Sequence, residues 1–271
     1  EGVKKGLGIN ARRGLAYVGL IVIRFCCLFG FYILFINATR ANGELQAGFT
    51  LLPSTHAFDN WNNLLHGTLP IVRGMLNSLI IAGASAVLSV YFSTMTVYSI
   101  HAYDFRLKKY IYPFILMIMM ILTQVTALGF VQLVSAMRLE DSFIPLICTT
   151  IAAPVTVFYM KQYMESTLPL ALIEAARIDG SGEFRTFNHI VIPLMKPAIA
   201  VQAIFTFVSS WNNYFTPALI LHEDNKKTLP ILIAQLRAAD WLKFDMGQVY
   251  MAIAFSIFPV IIVYLVLSRQ I

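Results

Sequence analysis

Long apolar segments separated by short polar ones run through the whole chain. Six of them exceed the about 20 residues that a helix needs to cross a bilayer. They lie near residues 15–36, 74–100, 110–137, 142–164, 198–221 and 247–268. Because a spanning segment must satisfy its own backbone hydrogen bonds, the pattern predicts an all-α polytopic membrane protein with six transmembrane helices. The first segment has no small-residue cleavage site, so we expect a retained span.

Composition supports a lipid environment. Of the 271 residues, 58% are hydrophobic and only 13% are charged, whereas soluble domains carry about a quarter of charged residues. The net charge of +6 does not indicate nucleic-acid binding, because Lys and Arg gather at the ends of the spans. Cys26, Cys27 and Cys148 all lie in apolar spans without metal-ligand spacing, so we expect neither a metal nor a cofactor.

The distribution of basic residues predicts the topology. With the N-terminus inside, the inner loops hold more Lys and Arg than the outer loops do, which favours cytoplasmic N- and C-termini. We expect residues 1–14 to form a cytoplasmic N-terminal segment and residues 15–271 to form a single transmembrane domain. In this topology the connection 165–197 lies in the cytoplasm.

The connection 165–197 carries an unusual short helix. Thr167 and Pro169 suit its start, and Gly180 suits the left-handed residue that ends it. Small and apolar residues at 171–176 let another backbone approach closely, so we expect this helix to enter a groove on another protein. Glu174 is predicted to pair with Arg177 or with a basic residue of that protein.

The same segment resembles a known motif. Glu174-Ala175-Ala176, followed by Gly180, Ile190 and Ile192-Pro193, is similar to the EAA motif of ABC importer permeases, with Ile192 where Leu is usual. The resemblance implies a coupling helix that docks on a separate ATPase subunit. The coupling residues implied in this way are Ala171, Glu174, Ala175, Ala176, Asp179, Gly180, Ile190 and Pro193.

Two further stretches, 210–215 and Thr228-Leu229-Pro230, resemble the carbohydrate-uptake permeases of the MalG-like group. This resemblance implies the type I ABC importer permease fold over residues 15–271, a bacterial inner-membrane location and a sugar substrate, expected to be an oligosaccharide. It also implies three kinds of partner, namely a second homologous permease, two copies of a nucleotide-binding ATPase subunit and an extracytoplasmic solute-binding protein. The chain has no GxxxxGK[ST] sequence, so we expect ATP hydrolysis elsewhere and no enzymatic activity here.

Polar residues recur on one face of several spans. Their helical spacing favours either a path for a hydroxyl-rich solute or a seam where helices pack. For the second span, with Ser78, Ser85, Ser89 and Thr96, packing is the favoured interpretation. For the bulkier residues the two interpretations stay open. The candidate pathway or gate residues are Gln124, Gln202, Thr206, Ser210, Trp211, Asn212, Asn213 and Tyr214.

Two other classes of function fit less well. A proton- or sodium-coupled carrier working without an ATPase usually keeps ionisable groups or broken helices within the membrane, and no Asp, Glu or His lies within the predicted spans here. An intramembrane enzyme is disfavoured because HExxH, GxSxG and a mid-span Asp pair are all missing. Arg24 is the one charge inside a span, and snorkelling or pairing with a partner subunit is favoured over solute binding.

Overall fold

The computed structural model describes residues 2–238 and 245–271, and within these ranges it contains helices and no strand. The helices are α1 (Gly2–Ala38), α2 (Asn42–Ala47), α3 (Ala57–Leu65), α4 (Ile71–Ala102), α5 (Lys108–Ile118), α6 (Thr123–Ala136), α7 (Ile144–Ile151), α8 (Pro154–Thr167), α9 (Leu170–Ile178), α10 (Glu183–Leu194), α11 (Lys196–Trp211), α12 (Phe215–Ile220), α13 (Leu229–Arg237) and α14 (Met246–Ser268). A π-helical turn, Phe187–Val191, lies within α10.

The described residues hold four helical stretches that are long and apolar enough to cross a membrane: Arg13–Ala38, Ile71–Ala102, Ile144–Thr167 and Met246–Ser268. A fifth is obtained when α10 and α11, bent by 80° relative to each other, are taken together. The third predicted span is not one helix, because Leu122 adopts an extended backbone (φ −69°, ψ 131°) that separates α5 from α6. The fifth predicted span ends early, since α11 stops at Trp211 and α12 starts only at Phe215.

The chain divides into two compact units, of which the first comprises Glu1–Thr68 and Leu236–Phe255. The amide Nδ2 of Asn60 donates to the carbonyl oxygens of Ala38 and Arg40, each at 2.9 Å. The start of α14 approaches the same place. A Cβ on Gly247 would stand 2.6 Å from the Arg40 oxygen, so only glycine fits there. Asn60 thus joins α3 to the end of α1 by capping exposed carbonyls.

The second unit comprises Leu69–Gln235 and Ser256–Ile271, with α4 packed against α7, α8 and α11. Its main core cluster draws side chains from α4, α8, α9, α10 and the bend before α11. The fully buried members include Val97, Met160, Ile173, Val191 and Met195. The short helix α9 is therefore held by the same apolar core as the long helices, because Ile173 anchors it there.

The serine stripe of α4 is buried. The hydroxyl groups of Ser85, Ser89 and Ser93 have no hydrogen-bond partner within the described part of the chain. Thr96 was predicted to belong to this stripe, but it is exposed and donates to the carbonyl of Phe92 instead. Small residues that allow close helix approach explain the stripe better than a solute path does.

Candidate functional site

Two breaks in the helices of the second unit line the same cavity. One break is Ala152–Ala153, between α7 and α8, and the other is residues 212–214, after α11. The cavity measures about 870 Å³. Irregular backbone at membrane depth is tolerated only where it is buried in protein or lines a water-filled cavity, so a cavity between breaks is a natural place for a polar solute.

Four of the eight predicted pathway residues line this cavity, namely Gln202, Thr206, Ser210 and Asn213. Gln202 is only 6% exposed, and its amide forms no hydrogen bond with any residue that the structure describes. An amide that lines a cavity and has no protein partner can take a water or a ligand as its partner. The remaining lining comes from α7, α8 and α11: Thr150, Ala152, Ala153, Pro154, Val155, Thr156, Tyr159, Val201, Phe205 and Ser209.

The other four predicted pathway residues lie outside the cavity lining. Gln124 is exposed on α6, and Asn212 and Tyr214 are exposed after the end of α11. Trp211 is 3% exposed and stacks on Phe207, with ring centroids 5.8 Å apart. The indole of Trp211 is therefore occupied by packing rather than open to a sugar ring.

A smaller cavity of about 260 Å³ adjoins the first and shares Thr150, Ser210 and Asn213 with it. The hydroxyl of Thr228 on its wall is buried without a hydrogen-bond partner among the described residues. Neither lining contains a Lys, Arg, His, Asp or Glu side chain. Both cavities consequently offer neutral donors and acceptors to whatever occupies them.

Sequence reasoning missed Thr150, Thr156, Tyr159 and Ser209 in this lining. The signal that could have found them is Pro154. The residue before a proline is pushed away from helical backbone angles, and Ala153 (φ −104°, ψ 86°) adopts such a conformation. An Ala-Ala-Pro sequence inside an apolar run therefore indicates a break, and residues beside a break line the cavity.

The predicted coupling residues are distributed over α9, its C-terminal turn and α10. Ala171, Glu174 and Ala175 are exposed on α9, whereas Ala176 is buried. Asp179 ends the helix and is exposed, Ile190 is half-buried in the π-helical turn, and Pro193 is exposed at the end of α10. Ala176 is accordingly a packing residue, and Ala171, Glu174 and Ala175 form an open face.

The C-terminal end of α9 follows the expectation for Gly180. Gly180 has φ +76°, its N–H donates to the Arg177 carbonyl, and the Ser181 N–H donates to the Ala176 carbonyl. These two bonds are those of a Schellman motif. At the other end the expectation for Thr167 is wrong, since it lies in the last turn of α8 and Pro169 precedes α9 instead.

Apolar side chains are also exposed around α9. Ile178 is 86% exposed and Phe184 is 68% exposed, with Leu170 and Leu172 exposed beside them. Glu174 makes no ion pair or hydrogen bond in the part of the chain that the structure describes, because Arg177 pairs with Glu183 instead. Exposed apolar side chains grouped in this way are typical of a surface that contacts another molecule.

Helices of membrane-spanning length and an uncharged cavity bounded by helix breaks are typical of a membrane transport protein. The chain belongs to the family of binding-protein-dependent transport system inner membrane components, whose family model matches residues 99–271. It is therefore an inner-membrane permease component of an ABC importer. The described residues contain helices and no strand, which confirms the all-α prediction. The match to this family model confirms the predicted family.

Relatives and a solved structure agree with this assignment. The arabinooligosaccharides transport system permease protein AraQ of Bacillus subtilis is 34% identical over 248 residues, covering 89% of this chain and 86% of AraQ. The sn-glycerol-3-phosphate transport system permease protein UgpE of Pectobacterium atrosepticum is 32% identical over 270 residues, covering 96% of each chain. A chain of a bacterial ABC transporter involved in the import of the acidic polysaccharide alginate has the same fold, with a TM-score of 0.80, 23% identity and 94% coverage of both chains.

Proposed function

We propose that this chain forms half of the translocation pore of an ATP-driven importer for a neutral sugar, most simply an oligosaccharide. The observation that carries this proposal is the uncharged cavity between the helix breaks, lined by Gln202, Thr206, Ser210 and Asn213. Amides and hydroxyls can exchange hydrogen bonds with sugar hydroxyls without holding a charge. A second, related permease completes the pore, and an extracytoplasmic binding protein delivers the sugar.

The uncharged cavity lining favours one charge class among the solutes in the names of the relatives. Arabinooligosaccharides are neutral, whereas glycerol phosphate and alginate are anionic. A phosphate or carboxylate that leaves water needs charge-assisted hydrogen bonds, which Arg, Lys or clustered N–H groups supply. This chain offers no cationic side chain in either cavity lining. The neutral class is therefore the one that this half of the pore accommodates at the lowest desolvation cost.

Coupling to ATP runs through α9. The exposed face with Ala171, Glu174 and Ala175 docks on a nucleotide-binding subunit, and both chain termini lie on the same cytoplasmic side. Closure of two ATPase subunits draws the coupling helices of the two permeases together, which opens the pore outward. Ile173 and Met195, members of one buried cluster, transmit this movement from α9 to the bend before α11.

The test is uptake into proteoliposomes that hold the full complex, with ATP on the ATPase side. The wild type is compared with the double variant Gly180→Ala, Glu174→Ala and with the matched control Gly182→Ala, Glu165→Ala. The expected result is ATP-dependent uptake of a neutral arabinooligosaccharide in the wild type and control, and its loss in the first variant at normal membrane insertion. Uptake of sn-glycerol-3-phosphate or an alginate oligosaccharide in preference to the neutral sugar would overturn the substrate class. Uptake that proceeds without ATP would instead favour a secondary carrier.

A further inference from the structure

Arg24 lies in the middle of the most apolar part of α1. The stretch Arg13–Ala38 has a mean hydropathy of 2.4 and is of spanning length. At 1.5 Å per residue, Arg24 stands about 16 Å from Arg13 and about 21 Å from Ala38, where α1 ends. In a hydrocarbon core about 30 Å thick this position is close to the midplane. Snorkelling to the interface serves Arg and Lys near helix ends, so it does not explain a guanidinium at this depth.

No acidic group of this chain can neutralise Arg24. Its guanidinium forms no ion pair or hydrogen bond with the residues that the structure describes, and the neighbours Leu20, Ile21, Leu28 and Phe31 on its side of α1 are all exposed. The sequence contains 14 Asp and Glu residues, and none of them lies in the middle of an apolar span, since Glu165 and Glu183 stand at span ends. A second copy of the chain would therefore bring no carboxylate to this depth either.

The surroundings of Arg24 leave room for another helix. A Cβ placed on Gly19 or on Gly30 would have no atom within 4 Å, so the backbone of α1 is open on both sides of Arg24. Small residues at membrane helices allow close backbone approach. Cys26 and Cys27, also small, are exposed between the two glycines.

We infer that α1 is a docking helix for a second, non-identical permease, and that Arg24 pairs with an Asp or Glu side chain inside a membrane span of that partner. A buried charge is stable only when it is paired and hydrogen-bonded, and a carboxylate matches the planar guanidinium with two parallel bonds. The inference rests on the proposed function in taking a second permease as the partner. It adds that this partner carries an intramembrane Asp or Glu at the depth of Arg24.

The experiment uses the full complex, with an affinity tag on this chain and the partner permease quantified by mass spectrometry after detergent extraction. Arg24→Met, which keeps length and removes charge, is expected to lower partner recovery by about tenfold or more, because it leaves the partner's carboxylate buried and unpaired. Arg24→Lys is expected to recover most of the association. Arg13→Met, at the edge of the span, is the matched control and is expected to leave recovery unchanged.

A genetic arm identifies the acid. Starting from Arg24→Glu, growth on the transported sugar selects suppressors, which are expected to exchange an Asp or Glu in a partner span for Lys or Arg. Full partner recovery with Arg24→Met would overturn the inference. Recovery of two copies of this chain without a second permease would overturn it as well. Both outcomes leave ATP-dependent uptake by the wild type intact, so they are distinguishable from failure of the proposed function.

Discussion

The Nε of Arg177 donates to Oε1 of Glu183 at 2.8 Å, which joins the end of α9 to the start of α10. The second oxygen of Glu183 accepts from the Tyr98 hydroxyl of α4, also at 2.8 Å. The Arg177 guanidinium lies over the Tyr103 ring, 5.0 Å from its centroid. The hydrogen bond from Arg177 lowers the pKa of Glu183, so the pair stays charged near neutral pH. The docking helix is thereby fixed to both α4 and α10.

Neutralising the Arg177–Glu183 pair is expected to weaken the coupling between the permease and its ATPase without unfolding the permease. Glu183→Gln keeps the side-chain shape but removes the charge that Arg177 contacts. Stimulation of ATPase activity by the sugar-loaded binding protein should fall by about two- to tenfold at an unchanged permease level, as for other residues along coupled networks. Glu165→Gln, which breaks only the exposed pair with Lys161, should leave stimulation unchanged. Equal stimulation in both variants would show that the Arg177–Glu183 pair has no part in coupling.

Gly180→Ala is expected to strain the turn after α9 by about 1 kcal/mol, because φ +76° is disfavoured for a residue with a Cβ. Space is not the cause, since a Cβ there would meet nothing within 4 Å. Gly182→Ala is the matched control, with φ −68° and equally open space. Affinity of the permease for its ATPase subunit, measured by co-purification across a detergent titration, should fall only in the Gly180 variant. A loss of the same size in both variants would contradict the conformational explanation.

Gln202→Leu is expected to separate transport from stability. The buried amide has no partner in the described residues, so replacing it by an apolar side chain should leave the melting temperature of the complex equal or higher. Uptake of the sugar should fall, chiefly through a higher KM, because a donor and an acceptor of the cavity are lost. Gln132→Leu, on an exposed position of α6, provides the comparison. A lowered melting temperature with unchanged uptake would assign Gln202 to packing.

Asp141, in the loop between α6 and α7, should make the outer loop after α12 sensitive to acid. Burial raises its pKa, but the backbone N–H groups of Glu223 and His222 outweigh this and hold the pKa below its ordinary value of 3.8. The stabilisation is therefore complete above pH 3.8 and is lost as pH falls through the lower value in the folded state. Hydrogen exchange at the His222 and Glu223 amides, corrected for intrinsic rates, should be constant from pH 5 to 8 and rise only in stronger acid.

The control for Asp141 is Asp141→Asn. Asparagine tolerates the backbone φ of 55° at this position and keeps an acceptor oxygen, but it does not titrate. The exchange of the two amides should become independent of pH in this variant. If the acid-dependent rise persisted in Asp141→Asn, another group would have to be responsible.

The sequence predicted those features that depend on local chemistry. The fold class follows from apolar length alone, and the end of α9 follows from Gly180, because only a glycine adopts its backbone conformation without strain. The helical spacing of Gln202, Thr206, Ser210 and Asn213 correctly grouped four residues that the structure brings to one cavity. Each of these predictions rests on the sequence of one continuous segment.

The errors concern choices that tertiary contacts make. Glu174 lies within reach of Arg177 on the same helix, yet Arg177 pairs with Glu183. Two residues outside α9 favour this pairing, because Tyr98 donates to Glu183 and the ring of Tyr103 lies under the Arg177 guanidinium. Trp211 was a candidate for stacking on a sugar ring or for anchoring at the membrane interface, and in the structure its ring stacks on Phe207. Residues 119–122, between α5 and α6, contain no Gly or Pro, so the sequence carries no local signal for this helix break. Local propensity could not decide any of these cases.

Helices α10 and α11 meet at an 80° bend, so a force on one of them can turn the other about the corner. Met195 stands at the corner and is fully buried in the cluster that also holds Ile173 of α9, so the corner cannot flex without breaking close packing. A push parallel to the membrane on α9 is consequently delivered to α11 as a rotation about that corner. The cavity side chains on α11 then sweep across the bilayer, and the distance each one travels grows with its separation from Met195. Under the proposed coupling, Gln202 near the corner would move least and Asn213 at the far end most.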